Sequence, residues 1–235
     1  MTADDNRGRL RLFLDTAEKS AWREWLPTGL FHGVTTNPTL LAAAGIPCDL
    51  AVLPALVDAA FSLGANEMQI QTFGRTADVL ERNGRAIAAL DPRVVVKIPV
   101  TFDGILAAGR LKADGVRVTI TAVYAAHQAL TAAAIGADYA APYFGRMNDA
   151  GRDGEGEIVA MRNLVAESGA ATRILVASLR SADDLARLAA RGLDTFTFSP
   201  KVAAMLFADP LTEAAAEAFE AAAGADQVPA PSAVA

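Results

Sequence analysis

One lysine stands out in this sequence because of the residues around it. Lys97 lies inside the run Val94–Thr101, and a stretch this rich in Val and Ile is typical of a strand buried on both faces. Burial favours the neutral amine of lysine, which is the nucleophile that forms a Schiff base with a carbonyl. The alternative is a structural lysine at a strand end, paired with a carboxylate or reaching solvent. The strand alone leaves both interpretations open.

The other three lysines have ordinary surroundings. Lys19 begins a charged helical stretch, Lys112 ends an exposed one, and Lys201 follows a proline. The remaining cationic side chains are arginines, which cannot be deprotonated in a protein and so cannot form an imine. Lys97 is therefore the candidate nucleophile.

Composition and charge exclude several classes of protein. A net charge of −6 argues against nucleic acid as the main partner. Cys48 is the only cysteine, so no internal disulfide forms, and the distant His32 and His127 give no metal-ligand spacing. We expect no cofactor. A polar, acidic N-terminus and the lack of a long apolar run predict a cytoplasmic protein that does not cross a membrane.

Periodicity predicts alternating strands and helices along the chain. The predicted strands are Arg9–Thr16, His32–Asn37, Glu67–Phe73, Val94–Val100, Val116–Val123, Tyr139–Tyr143, Arg173–Ser178 and Thr195–Ser199. The predicted helices include Leu50–Leu63, Thr76–Ala89, Gly104–Ala113, Val123–Ala134, Glu155–Glu167, Ala182–Ala190 and Val202–Phe207.

Eight such units in one chain favour an α/β fold, a single (β/α)8 TIM barrel. The alternative, a doubly wound open sheet, usually has a glycine-rich turn after its first strand, and Leu14-Asp15-Thr16 has none. We expect one domain over residues 1–223, in which an extra C-terminal helix, Leu211–Ala223, follows the barrel. It docks either on its own barrel or on a neighbouring subunit. Residues 224–235 are predicted to be a disordered tail.

Barrel enzymes build their sites at the carboxyl ends of the strands. The polar residues predicted there are Asp15, Thr16, Thr35, Thr36, Asn37, Gln69, Gln71, Lys97, Thr119, Thr121, Tyr143, Arg146, Ser178, Arg180 and Ser199. Because barrel cores are usually branched and apolar, Gln69, Gln71, Thr119 and Thr121 are predicted to line a polar pocket around the lysine. Individually, each of these residues is also explained by strand-end capping.

A second group of side chains has the chemistry of a phosphate site. Arg146, Ser178 and Arg180 follow adjacent predicted strands, and arginine forks with a hydroxyl bind phosphate well. The alternative is that Arg146 forms a surface ion pair with Asp149 or Asp153, which would be of little consequence.

Several segments of the chain resemble the transaldolase family. They are Leu14–Thr16, Gly33–Pro38, Val95–Thr101, Thr121–Tyr124, Ala141–Arg146 and Val176–Ser178. The resemblance runs from about Leu10 to about Ala223 and is strongest to the small members, the short transaldolases and fructose-6-phosphate aldolases.

The resemblance implies a role for each matching residue. Lys97 would form the imine with a phosphorylated sugar, Asp15 would be the acid/base group, and Thr121 would hold a catalytic water. The implied substrate-binding residues are Asn37, Thr35, Arg146, Ser178 and Arg180. Because small members form decamers built from pentamers, the chain is expected to be a homo-oligomer.

Two positions bear on which activity the resemblance implies. Transaldolases of the family tend to carry Glu on strand three and Phe on strand six around the catalytic water, whereas the aldolases carry Gln and Tyr. This chain has Gln71 and Tyr143, which favours a class I aldolase acting on fructose 6-phosphate. A true transaldolase, which transfers dihydroxyacetone to erythrose 4-phosphate, is the alternative. The third alternative is a non-catalytic barrel that acts through oligomer contacts. The polar residues at the strand ends argue against it.

Overall fold

The strands form a closed parallel barrel. The computed structural model describes residues 10–224, and within them the strands pair in chain order, with the eighth closing onto the first. The strands are β1 (Arg11–Asp15), β2 (Gly33–Thr35), β3 (Glu67–Gln71), β4 (Val94–Pro99), β5 (Val118–Val123), β6 (Tyr139–Pro142), β7 (Arg173–Val176) and β8 (Thr195–Phe198). Closure confirms the predicted barrel, because a doubly wound sheet would keep two open edges.

Helices follow the strands and surround the barrel. They are α1 (Lys19–Trp25), α2 (Pro38–Ala43), α3 (Leu53–Ser62), α4 (Ala77–Ala88), α5 (Phe102–Ala113), α6 (Ala126–Ala134), α7 (Phe144–Asp149), α8 (Gly154–Glu167), α9 (Ala182–Ala190), α10 (Pro200–Met205) and α11 (Pro210–Ala223). Helical periodicity did not predict α2 and α7, which have only six residues each. The extra C-terminal helix is confirmed as α11, which Asp209 caps by accepting from two backbone amides.

Two apolar cores result from the alternation of side chains along each strand. The larger core fills the space between strands and helices, and it includes Trp22, Met68 and Phe196. A separate cluster inside the barrel contains residues of β1, β4, β6 and β7 that alternate with those of the larger core: Phe13, Val95, Tyr139, Ala141 and Leu175. Since Val95 belongs to this inner cluster, Lys97, two residues further along β4, points to the same interior.

Seven of the eight strands end earlier than the sequence predicted, which matters for the site, whereas β5 ends at Val123 as predicted. Asn37 and Ser199 each begin a helix by accepting a backbone amide through the side chain. Ser178 lies beyond β7 with φ 62°, which is left-handed backbone and incompatible with a strand. Because the strands stop short, these polar groups lie in loops above the barrel.

The remaining sequence-based expectations concern the ends of the chain and the surface. Arg9, the predicted first residue of the first strand, lies outside the described residues, as do residues 225–235. The disordered tail and the domain limit at residue 223 therefore stay predictions. Within residues 10–224, no helix is long and apolar enough to cross a membrane. The apolar side chains of α11 face outward, with Leu211 81% and Phe219 71% exposed.

Candidate active site

A polar cavity opens at the carboxyl ends of the strands. Its volume is about 190 Å³, and it is lined by Asp15, Asn37, Thr39, Leu40, Lys97, Ala141, Tyr143, Arg146, Ala177, Ser178, Leu179, Arg180, Thr197, Phe198 and Ser199. Seven of the ten residues to which the sequence assigned a role line this cavity. The other three, Thr35, Gln71 and Thr121, lie next to it through contacts or strand register with lining residues.

Lys97 lies at the floor of the cavity and is only 4% exposed. Burial lowers the pKa of its ammonium group below the usual range, and the charge of Asp15 opposes that shift only in part. The buried lysine that the sequence predicted is confirmed. No ion pair of Lys97 is found among residues 10–224, so the arrangement does not match that of a structural lysine paired with a carboxylate.

Asp15, at the end of β1, is held by hydroxyl groups from neighbouring strands. The Oγ1 of Thr35 donates to Asp15 Oδ1 at 2.6 Å, and Thr35 Oγ1 lies 2.5 Å from Thr197 Oγ1. Thr35 is fully buried, so the sequence prediction that it binds substrate is not supported: its hydroxyl is used to hold Asp15.

Two hydroxyl groups meet at the opposite wall. Thr121 Oγ1 and Tyr143 OH are 2.9 Å apart, and burial raises the pKa of Tyr143. The register of β5 on β6 shifts between Ile120 and Val123, and Ala122 has φ 58°. This irregularity turns the end of β5, as bulges near active sites commonly do. Gln71 is the register partner of Lys97 on β3, next to the lysine.

Arg146, on α7, is held by two tyrosines. Its guanidinium carbon lies 4.8 Å from the centre of the Tyr143 ring, and a hydrogen bond with Tyr124 raises its pKa. The Tyr124 ring contacts the Tyr143 ring edge-on at 5.6 Å. The predicted alternative, in which Arg146 pairs with Asp149 or Asp153, is wrong: Asp149 pairs with Arg180, and Asp153 caps α8.

The loop after β7 brings Ser178 and Arg180 to the same side of the cavity. The amide of Gly145 donates to the Ser178 carbonyl oxygen at 2.9 Å, and a β-carbon on Gly145 would collide with that oxygen. A side chain here is therefore excluded by the close approach of α7 to the loop. Arg146, Ser178 and Arg180 surround one end of the cavity and together could hold a phosphate.

Gln69 and Thr119 do not line the cavity, although the sequence predicted that they would. Both are fully buried, and they bond to each other through Thr119 Oγ1 and Gln69 Oε1 at 2.8 Å. Gln69 also donates to Glu67 at 2.8 Å. Glu67 in turn accepts from Arg117 and Tyr139, so these residues form a buried polar layer nearer the amino ends of the strands.

Sequence reasoning missed two side chains that shape the site, Thr197 and Tyr124. A signal for Thr197 was present, because Thr195 and Thr197 alternate along β8 and so share one face. Tyr124 follows β5 immediately, where polar residues of a barrel collect. Its neighbour in space, Arg146, is 22 residues away in the sequence, and no local pattern joins the two.

Comparison with known proteins places the chain in a family. The family model described as transaldolase/fructose-6-phosphate aldolase matches residues 12–229. A probable transaldolase of Caulobacter sp. (strain K31) is 36% identical over 89% of this chain and 94% of its own length. A probable transaldolase of Aquifex aeolicus (strain VF5) is 35% identical over the same shares.

A solved structure supports the fold separately. Thiamine phosphate pyrophosphorylase from Pyrococcus furiosus aligns with a TM-score of 0.55 over 82% of this chain and 87% of that one, at 16% identity, which bears on the fold alone. The extent of the family match and the similarity to the two bacterial proteins decide the classification. This chain belongs to the transaldolase/fructose-6-phosphate aldolase family.

Proposed function

We propose that the protein is a class I, Schiff-base aldolase. It cleaves fructose 6-phosphate into a dihydroxyacetone unit and glyceraldehyde 3-phosphate, and it also catalyses the reverse reaction. The observation that carries the proposal is the burial of Lys97 at the floor of a polar cavity, beside Asp15. Burial lowers the pKa of this lysine, so more of it is the neutral amine that attacks a carbonyl. The family supports a phosphorylated sugar as substrate.

The cleavage begins when the Lys97 amine attacks C2 of the sugar. Asp15 and a water held by Gln71, Thr121 and Tyr143 move the protons that turn the carbinolamine into an iminium ion with loss of water. The iminium then accepts the electron pair of the C3–C4 bond, while the C4 hydroxyl proton passes to Asp15 and glyceraldehyde 3-phosphate leaves. Protonation of the enamine at C3 and hydrolysis release dihydroxyacetone and restore the amine.

The far end of the cavity suits the phosphate group of the sugar. Arg146, Ser178 and Arg180 bring two guanidinium groups and a hydroxyl to one place, which matches the geometry and charge of phosphate. Asn37 uses its side-chain oxygen to accept from the Leu40 amide at 3.1 Å. Its amide nitrogen is then the group that would donate to a substrate hydroxyl.

The hydroxyl of Tyr143 supports the aldolase over the transaldolase. It lies 2.9 Å from Thr121 Oγ1, so the two groups together could hold a water against the enamine. With neutral Gln71 nearby, that water would be placed to protonate and hydrolyse the enamine instead of leaving it for a second aldehyde. The second candidate is a transaldolase that passes the dihydroxyacetone unit to erythrose 4-phosphate, and it is favoured by the description of the bacterial relatives as probable transaldolases.

Release of glyceraldehyde 3-phosphate from fructose 6-phosphate tests the proposal, measured with and without erythrose 4-phosphate. The aldolase gives sustained release without the acceptor. Release that requires erythrose 4-phosphate identifies a transaldolase and overturns the aldolase assignment. Lack of release under both conditions overturns both candidates.

We also propose that the enzyme works in the cytoplasm as a homo-oligomer, a pentamer or a decamer. The lack of an apolar run of about 18 residues supports the location. The exposed apolar side chains of α11, Leu211 and Phe219, support the assembly, because such side chains are stabilised by burial against another surface.

A further inference from the structure

A chain of three oxygen-bearing side chains runs from β8 to the candidate acid/base group. Thr197 Oγ1 lies 2.5 Å from Thr35 Oγ1, and Thr35 Oγ1 lies 2.6 Å from Asp15 Oδ1. Thr197 is 1% exposed and Thr35 is fully buried, so water does not compete for these hydrogen bonds. The chain connects three adjacent strands, since β1 pairs with both β2 and β8.

The donor and the acceptor of each hydrogen bond between these three side chains are fixed. An ionised carboxylate only accepts hydrogen bonds, and a hydroxyl has a single proton to donate. Thr35 gives its proton to Asp15 Oδ1, so the proton between the two threonines must come from Thr197. Removal of the Thr197 hydroxyl would therefore leave the Thr35 oxygen without a hydrogen-bond donor. The Thr35 hydroxyl could then rotate away from Asp15.

The same hydrogen bonds distinguish the two oxygens of Asp15. Oδ1 accepts from Thr35, whereas no hydrogen bond to Oδ2 is found among residues 10–224, so Oδ2 is the better placed oxygen to take or give a proton in the cavity. The charged and titratable side chains that act on Asp15 from other elements are Lys97 on β4, Tyr143 after β6 and Arg146 on α7. A rotation of the carboxylate would change its distance to all of them.

We infer that Thr197 is a positioning residue, which acts through Thr35 to hold the Asp15 carboxylate with Oδ2 toward the substrate. The inference rests on the proposed function, because it concerns the proton transfer that Asp15 performs there. Buried partners that orient an active-site group commonly affect the chemical step more than binding. Thr197 is therefore expected to influence kcat much more than KM.

The test compares Thr197→Val, which keeps the shape and removes the hydroxyl, with Thr197→Ser, which keeps the hydroxyl. In fructose 6-phosphate cleavage, we expect Thr197→Val to lower kcat about tenfold with KM within about twofold of wild type. Thr197→Ser is expected to restore most of kcat. A wild-type kcat in Thr197→Val, or equal losses in the two variants, would overturn the inference.

Thr195→Val is the matched control for the loss of a buried hydroxyl in the same strand. Thr195 is buried two residues earlier in β8, and its hydroxyl contacts Arg173 and Asp194 instead of the cavity. Thermal melting of both variants separates stability from chemistry. The inference predicts that Thr195→Val keeps wild-type kcat even if its melting temperature falls, and an equal loss of kcat in this control would contradict it.

A double-mutant cycle shows whether Thr197 acts through Thr35. In a Thr35→Val background, Thr197 has no hydroxyl to hold, so Thr197→Val should cause no further loss of kcat. A further tenfold loss in that background would mean that Thr197 acts by another route and would overturn the inference. Wild-type turnover is measured first: an inactive wild type refutes the proposed function, whereas an active wild type with an unaffected Thr197→Val refutes only this inference.

Discussion

At the scale of single residues, the central question is how Lys97 is kept neutral enough to react. Burial lowers its pKa, and Asp15, the nearby negative charge, raises it. Desolvation is the larger of the two effects, so the amine loses its proton at lower pH than an exposed lysine does. Below that pKa the ammonium form predominates and cannot attack a carbonyl.

Competitive labelling with acetic anhydride, followed by peptide mapping, measures this pKa directly. We expect labelling of Lys97 to begin at lower pH than that of Lys201, whose side chain is exposed. Asp15→Asn removes the opposing charge and should move the labelling of Lys97 to still lower pH. A shift to higher pH in Asp15→Asn would mean that the Asp15 carboxylate does not raise the pKa of Lys97.

The hydroxyl of Tyr143 separates the two candidate activities. Tyr143→Phe keeps the ring against Arg146 and removes the group 2.9 Å from Thr121. We expect release of glyceraldehyde 3-phosphate without erythrose 4-phosphate to fall at least about tenfold relative to release with it.

A matched control for this variant is Tyr139→Phe. Tyr139 lies on β6, just before Tyr143, but its hydroxyl contacts Glu67 and Arg11 in the buried layer near the amino ends of the strands. Tyr139→Phe should leave unchanged the ratio of glyceraldehyde 3-phosphate release without erythrose 4-phosphate to release with it. If the ratio moves equally in both variants, the Tyr143 hydroxyl does not decide the activity.

At the scale of elements, the phosphate end of the cavity depends on how closely α7 approaches the loop after β7. Gly145→Ala would push the Ser178 carbonyl away and displace Arg180. We expect KM for fructose 6-phosphate to rise about tenfold and stability to fall by about 1–3 kcal/mol. Borohydride trapping of dihydroxyacetone, which has no phosphate, should be affected much less.

Gly109→Ala is the control, because Gly109 lies within α5 and a β-carbon there meets nothing within 4 Å. This change should leave KM unaltered and stabilise the helix by up to about 1 kcal/mol. Steady-state kinetics and thermal unfolding measure both effects. An unchanged KM in Gly145→Ala would show that the close approach does not shape the phosphate end.

How much of the site the sequence could predict depends on the element that carries each residue. Lys97 was predictable because one lysine in a run of Val and Ile is anomalous by itself. Gln69 was not: alternation along β3 puts it inside the barrel, but whether it lies in the cavity or in the layer below depends on register, which no local pattern contains. Alternation along β8 places Thr197 on the inner face, but its contact with Thr35 and that of Tyr124 with Arg146 join residues far apart in the sequence, and only the folded barrel shows these contacts.

At the scale of the whole molecule, the surface predicts self-association. Leu211 and Phe219 on α11 are 81% and 71% exposed, and Phe102 on α5 is 87% exposed. Burial of a large apolar side chain contributes about 1.5–3 kcal/mol, so a few such residues can hold subunits together. We expect size-exclusion chromatography with light scattering to give a pentamer or a decamer.

A paired substitution at α11 tests which surface holds the assembly. Leu211→Ser with Phe219→Ser should give smaller species, whereas Leu130→Ser, on the exposed side of α6, should leave the assembly intact. A monomeric wild type would contradict the proposed assembly, and an unchanged oligomer in the paired variant would exclude α11 from the interface.

Imine formation at Lys97 underlies the proposed chemistry, and borohydride reduction in the presence of fructose 6-phosphate detects it on the protein itself. Reduction fixes the imine as a stable amine, which peptide mass spectrometry locates on one residue. We expect an adduct on Lys97 in the wild type and none in Lys97→Met. An adduct on Lys19, Lys112 or Lys201, or one that persists in Lys97→Met, would show that Lys97 is not the nucleophile.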